Sequence, residues 1–189
     1  MRLQLCSILA LPLLRVFAQE QLVMAEPVIQ QSMQPTLADL LTIEPSTSIF
    51  YSYARELTSS NMFSNSEAGP VTLLVPTNKA VMALSRKPHQ GPVPVDTGVV
   101  ITEQELDARS KENVERWVSA HIIPQSPITF DQTYPTLLGG KSITFKLTKK
   151  GTDAPEWSRA VIGGNIRITG QREASNGVLL FIDGTISLE

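Results

Sequence analysis

A run of three apolar residues that stops at a proline is the strongest local constraint on this chain. Residues 73–75 (Leu-Leu-Val) are typical of a buried strand, and Pro76 has no amide hydrogen with which to continue the strand ladder. Thr77 and Asn78 follow directly, and both residue types cap helix N-termini. The segment therefore predicts a strand that passes at once into a helix capped by Thr77 or Asn78.

A second apolar run, residues 178–182, lies about a hundred residues further along the chain. It follows the pair Asn176-Gly177, which is a strong signal for a tight turn. Because the run is continuous rather than alternating, it predicts a strand that is buried on both faces. Asp183 precedes a glycine at the end of the run, and we expect it to hydrogen-bond the backbone of its own turn.

Together, residues 72–81 and 176–186 resemble the two sequence blocks of the fasciclin-like domain. The resemblance implies an α+β fold, a twisted β-sandwich or wedge with helices packed around one end. It extends over residues 35–189 and implies a single domain. It also gives structural roles in the family motifs to five residues, namely Pro76, Thr77, Asn78, Gly177 and Asp183.

The helix ending at His121 resembles the central segment of the same family, where a Tyr-His pair is usual. Ala120 stands at the tyrosine position, so the adhesive role that the family implies for this tyrosine does not carry over. His121 lies on the apolar face of its predicted helix. We favour a core histidine that hydrogen-bonds a backbone carbonyl, with a pH-sensitive partner contact as the alternative.

Four residues are the candidates for partner contact: His121, Ile122, Trp157 and His89. Trp157 lies in a polar stretch without periodicity, so it either closes one end of the core or is exposed as a binding hot spot. His89 lies in residues 88–98, a Pro/Gly-rich segment that predicts a surface loop.

Helical periodicity predicts helices over residues 48–58, 103–109 and 111–122, the last one ended by Pro124. Thr36 with Asp39, and Thr102 with Glu105, have the spacing of capping boxes. From residue 128 onward short apolar runs alternate with turn residues. They predict strands over residues 134–138, 142–147, 160–162 and 166–169.

The first 18 residues predict a secretory signal peptide, because an apolar stretch follows Arg2 and Ala18 fits a cleavage site. An uncleaved anchor is the alternative, since Arg15 interrupts the pattern. Residues 19–34 are rich in Gln and Glu and predict a mobile arm. We therefore expect the protein to enter the secretory pathway, without stable membrane insertion after cleavage, and to reside outside the cell, in the wall or in a vacuole lumen.

Composition argues against several classes of function. The formal net charge of −2 makes nucleic acid an unexpected partner. The single cysteine, Cys6, lies in the predicted signal peptide, and the chain has only two histidines. We therefore expect no metal site and no cofactor. A Gly-x-Ser-x-Gly elbow is absent from the sequence, and we expect no enzyme activity.

The resemblance implies a non-enzymatic adhesion or binding module that associates with cell-surface, wall or matrix components or with other secreted proteins. Its partner would be a protein or a polysaccharide. Two alternatives remain open. One is a vacuolar or lumenal factor that supports membrane fusion or turnover, and the other is a carrier of a small apolar ligand held between sheet and helices.

Overall fold

The computed structural model describes residues 34–92, 102–148 and 153–188. The helices in these residues are α1 (Leu37–Ile43), α2 (Ser48–Ala54), α3 (Asn61–Ser64), α4 (Asn78–Met82), α5 (Glu103–Ser119) and α6 (Glu156–Arg159). The strands are β1 (Val71–Pro76), β2 (Ile122–Ile123), β3 (Thr133–Pro135), β4 (Ser142–Leu147), β5 (Ala160–Ile162), β6 (Ile166–Ala174) and β7 (Gly177–Ile182). Short 3-10 turns cover Pro45–Thr47, Thr58–Ser60, Ser66–Ala68 and Pro88–Gln90.

The two motif segments become neighbouring strands at the middle of one sheet. The strand order is β2-β1-β7-β6-β5-β4-β3. β1 and β7 run parallel and pair over six residues, from Val71 opposite Gly177 to Pro76 opposite Ile182. The other strand pairs are antiparallel. The sheet combined with six helices confirms the predicted α+β class.

Both faces of this central strand pair are covered, as the continuous apolar runs predicted. Leu73 and Leu179 belong to a first cluster that includes the buried side chains of α1, α2 and α5. Leu74 and Leu180 belong to a second cluster with the strands at the other end of the sheet. Successive residues of a strand point to opposite faces, so each strand serves both clusters.

Helix starts follow the capping signals in the sequence. The Thr36 hydroxyl accepts a hydrogen bond from the amide of Asp39, and the Asp39 carboxylate accepts one from the amide of Thr36. The same reciprocal pair forms between Thr102 and Glu105 at the start of α5. Both predicted capping boxes are therefore confirmed.

The prediction of two separate helices over residues 103–122 is wrong. Neither Gly nor Pro interrupts the segment, and a single helix, α5, runs from Glu103 to Ser119. It ends before Pro124, because Ile122 and Ile123 leave the helix to pair with Leu73 and Thr72 of β1. Strand pairing, which local periodicity does not encode, decides where this helix stops.

Other boundaries also differ from the prediction. β3 covers Thr133–Pro135 instead of residues 134–138, and β6 extends to Ala174, five residues beyond the predicted end. Part of the predicted 88–98 loop is held against α5, because the Asn113 side chain donates a hydrogen bond to the carbonyl oxygen of His89. The predicted signal peptide, nearly all of the predicted arm and the rest of the 88–98 loop lie outside the described residues. None of the helices in the described ranges is long and apolar enough to cross a membrane.

Candidate functional site

His121 lies in the core, between the end of α5 and the C-terminal segment. Its Nδ1 is 2.7 Å from the carbonyl oxygen of Trp117, and its Nε2 accepts a hydrogen bond from the amide of Ile186 at 3.1 Å. Since an amide can only donate, Nε2 carries no proton, and Nδ1 donates to the carbonyl. The predicted bond to a backbone carbonyl is therefore confirmed.

Burial fixes the neutral form of this histidine. The imidazole is completely buried, and desolvation lowers the pKa of His121 to about 4, although the hydrogen bond to Trp117 acts in the opposite direction. The ring packs against Trp117 and Phe50, with centroids 4.6 and 5.8 Å away. Ile122 is also fully buried. Neither residue offers surface to a partner here, which corrects the prediction that they form a contact region.

His89 is exposed and leans against α2. Its Nδ1 lies 3.0 Å from the hydroxyl of Tyr53, and its backbone carbonyl accepts a hydrogen bond from the Asn113 side chain of α5. Tyr53 in turn packs edge-on against Trp117. His89 therefore holds its turn against two helices, α2 through Tyr53 and α5 through Asn113.

Trp157 is the predicted partner residue that opens onto a surface groove. The side chain is half-buried and packs against the second hydrophobic cluster. The groove has a volume of about 390 Å³ and is bounded by the residues after α1, the start of α4, β6, β7 and α6. Both interpretations of Trp157 thus hold in part, because one side of the residue closes the core and the other lines the groove.

A second aromatic ring lines the same groove. Phe181 of β7 lies opposite Gly170 of β6 and is only partly buried. A Cβ on Gly170 would approach within 3.0 Å of the Phe181 ring, so a side chain there would crowd the ring. The register of β6 and β7 shifts between Ile168 and Gly170, and such a bulge redirects neighbouring side chains. Phe181 lines the groove, and the missing side chain at Gly170 leaves room for its ring.

Polar groups surround the two rings. Hydroxyl groups come from Ser46, Thr77 and Thr169, and an amide comes from Gln171. Among the described residues that line the groove, the charged ones are Glu44 and Arg172, whose charges cancel. The lining residues thus form a groove without net charge, in which two aromatic rings give apolar surface and the polar side chains give hydrogen-bond donors and acceptors. The sequence analysis missed this groove; the signal that could have indicated it is Gly170, because an isolated glycine next to a strand pattern indicates a bulge.

Asn78 caps a helix other than its own. Thr77 caps α4, since its hydroxyl accepts a hydrogen bond from the amide of Ala80. The Asn78 side chain instead accepts a hydrogen bond from the amide of Ile49 in α2 and donates to the carbonyl of Pro45. The residue before α2 provides no side-chain cap, so Asn78 supplies it from a distance.

Asn176 is a buried structural residue that the turn prediction missed. Its side-chain oxygen accepts a hydrogen bond from the amide of Leu37, and its nitrogen donates to the carbonyls of Met62 and Phe63. Gly177 follows with φ +152°, and a Cβ there would overlap the carbonyl oxygen of Val71. The Asn-Gly pair therefore joins α1, α3 and the central strands.

Pro76 and Asp183 complete the motif residues. Pro76 is the last residue of β1 and is buried. Because proline has no amide hydrogen, its burial leaves no backbone donor without a partner. Asp183 accepts a hydrogen bond from the amide of Arg167 at 2.8 Å, so it bonds the neighbouring strand and not its own turn. The structure describes no cluster of three His, Cys, Asp or Glu residues able to hold a metal ion within residues 34–92, 102–148 and 153–188.

Comparisons with known proteins agree on one family. Residues 45–188 match the family model of the Fasciclin domain. A FAS1 domain-containing protein of Aspergillus fumigatus is 36% identical over 123 residues, covering 64% of this chain and 51% of that protein. One of Emericella nidulans is 31% identical over 161 residues, covering 82% of this chain and 62% of that protein. The chain thus spans roughly half to three fifths of these relatives' lengths.

A solved structure shows the same fold. It is a FAS1 domain pair from the insect cell adhesion molecule Fasciclin I, with a TM-score of 0.52 and 16% sequence identity. The match covers 82% of this chain and 51% of that chain. At this identity the likeness concerns the fold alone, and it confirms the architecture that the two motif segments predicted.

Proposed function

This chain belongs to the Fasciclin domain family, and we propose that it is a non-enzymatic binding module that associates with cell-surface, wall or matrix components or with other secreted proteins. The observation that carries the proposal is the match of residues 45–188 to the family model, because this family is one of cell adhesion modules. The proposed location is the secretory pathway and then the cell exterior.

The environment of the histidines supports binding over catalysis. Both ring nitrogens of His121 are committed to backbone groups, so neither is available to move a proton for a substrate. The ring is also completely buried. The exposed His89 has a tyrosine hydroxyl as its described side-chain partner.

Packing gives no support to the alternative of a carrier for a small apolar ligand. The first cluster places large buried side chains, among them Phe50, Phe63 and Trp117, between the helices and the sheet. A carrier needs an apolar cavity in that space. The grooves found in the described part of the chain lie at its surface and have mixed lining. We therefore place the binding activity at the surface.

Sedimentation with insoluble material tests the proposed function. The purified full chain is mixed with washed cell-surface and wall fractions and with extracellular matrix, then centrifuged, and the bound fraction is measured at rising concentration. We expect saturable retention. An unrelated protein of similar size and net charge serves as the control. Retention no greater than that of this control would remove the proposal.

Location is tested separately with a tag after Glu189, by imaging and by fractionation of cells and medium. Recovery outside the cell with a new N-terminus at Gln19 is the expected result. Recovery in a lumenal compartment would instead favour the vacuolar alternative.

A further inference from the structure

We propose that the groove between Trp157 and Phe181 binds a neutral glycan, so that the partner recognised by this module is an uncharged polysaccharide. The inference rests on the proposed binding function and names its ligand class. Its basis is the combination of two aromatic rings, cancelled charge and a surrounding set of hydroxyl and amide groups in one groove.

The aromatic rings supply flat apolar surfaces. A pyranose ring has an apolar face of C–H groups, and these groups are attracted to the negative face of an aromatic ring. Trp157 is anchored on its inner side by the second cluster, while Phe181 is anchored by the first. Because both rings are held by packing, little side-chain entropy is lost when a sugar stacks on them.

The polar groups match the edge of a sugar. A sugar hydroxyl both donates and accepts, so it needs partners of both kinds. Gln171 offers donor and acceptor atoms, Glu44 offers acceptors, and Arg172 offers donors. The Thr169 hydroxyl donates to a backbone carbonyl of β7, so it offers a sugar only an acceptor. One Glu44 carboxylate oxygen already accepts hydrogen bonds from the amide and hydroxyl of Ser46, which fixes its position at the groove rim.

Charge and size argue against other ligands. A polyanion would require an excess of basic groups, yet the described lining has one guanidinium against one carboxylate. A lipid chain would require an apolar lining, whereas six of the nine lining residues, all but Trp157, Gly170 and Phe181, carry polar side chains. The volume of about 390 Å³ suits a small unit such as a few sugar rings. A protein partner would need a much wider contact.

Intrinsic fluorescence provides a direct test, because the chain has two tryptophans in contrasting positions. Trp117 is in the core with 4% of its surface exposed, while Trp157 is half-buried in the groove. The full chain is titrated with hexamers of β-1,3-glucose, β-1,4-N-acetylglucosamine and α-mannose, and with a heparin oligosaccharide. Acrylamide quenching is measured at each step. We expect at least one neutral hexamer to change the emission and to reduce quenching.

Three variants separate stacking from structure. Trp157→Ala should weaken binding at least about tenfold, as expected for an aromatic hot spot, and Trp157→Phe should retain part of the affinity. Gln171→Ala should weaken it about fivefold, as expected for a lost hydrogen bond. Leu137→Ala is the control, because Leu137 is a partly exposed apolar side chain that does not line the groove. The affinities of all these variants are measured by calorimetry, after circular dichroism has shown that each variant is folded.

The outcomes distinguish this inference from the proposed function. Saturable retention on surfaces that Trp157→Ala leaves unchanged would overturn the glycan site while the binding module stands. Tighter binding of heparin than of every neutral hexamer, or no response to any neutral hexamer, would also overturn it. Loss of a captured protein in Trp157→Ala, without a response to sugars, would assign the groove to a protein partner. Absence of any retention by the natural chain would remove the proposed function itself.

Discussion

Acidification from pH 7 to pH 5 should destabilise this protein through His121. The residue is neutral and completely buried in the folded state, where burial lowers its pKa to about 4. In the unfolded chain its pKa returns to the ordinary value of 6.5. Between these two values the unfolded state therefore binds one proton more than the folded state, and the stability of the fold rises with pH.

The size of the effect follows from the two pKa values. Each pH unit inside this window changes the free energy of unfolding by about 1.4 kcal/mol. Protonation is partial near the ends of the window, so the loss between pH 7 and pH 5 is about 2 kcal/mol. Asp39 and Glu105, whose pKa values are lowered by hydrogen bonds from the backbone amides of Thr36 and Thr102, lose their contribution only below about pH 4.5. These two carboxylates therefore add little to the change in stability between pH 7 and pH 5.

Urea unfolding at pH 7, 6 and 5, followed by circular dichroism, measures this dependence. His121→Gln should be less stable at pH 7, because the backbone groups of Trp117 and Ile186 lose well-placed partners. Its further loss on going to pH 5 should be less than about 0.5 kcal/mol. Equal slopes in the natural chain and His121→Gln would refute this account of His121.

Three further substitutions test the motif residues, each by urea unfolding of the full chain. Asn176→Ala should cost about 2 to 4 kcal/mol, because the buried amide of Leu37 loses its partner; a loss below about 1 kcal/mol would contradict the assigned hydrogen bonds. Gly177→Ala should cost about 3 kcal/mol or more, because a Cβ would overlap the carbonyl of Val71, and a neutral effect would refute the clash. Asn78→Ala should cost about 1 to 2 kcal/mol because it removes the cap of α2, and amide exchange at the start of α2 should become faster. Slower exchange in this variant would contradict the assigned cap.

Short-range signals predicted much of the fold. The capping boxes at Thr36 and Thr102 formed because each one needs only residues three apart. The apolar runs 73–75 and 178–182 lie inside β1 and β7, since their composition favours a strand and both faces need cover. The predicted end of the helix at residue 122 was wrong because a strand distant in the sequence pairs with this segment. Ile122 left the predicted helix because β1 was available to pair with it.

The sequence by itself determined the α+β class, the two motif strands, the caps and the family. Only the tertiary structure decided which distant groups meet. It placed Asn78 on α2, set His121 against the amide of Ile186, and brought Glu44, Trp157 and Phe181 to one groove. The physical reason is that local propensity depends on residues within one turn or strand, whereas burial and long-range hydrogen bonds depend on how whole elements pack.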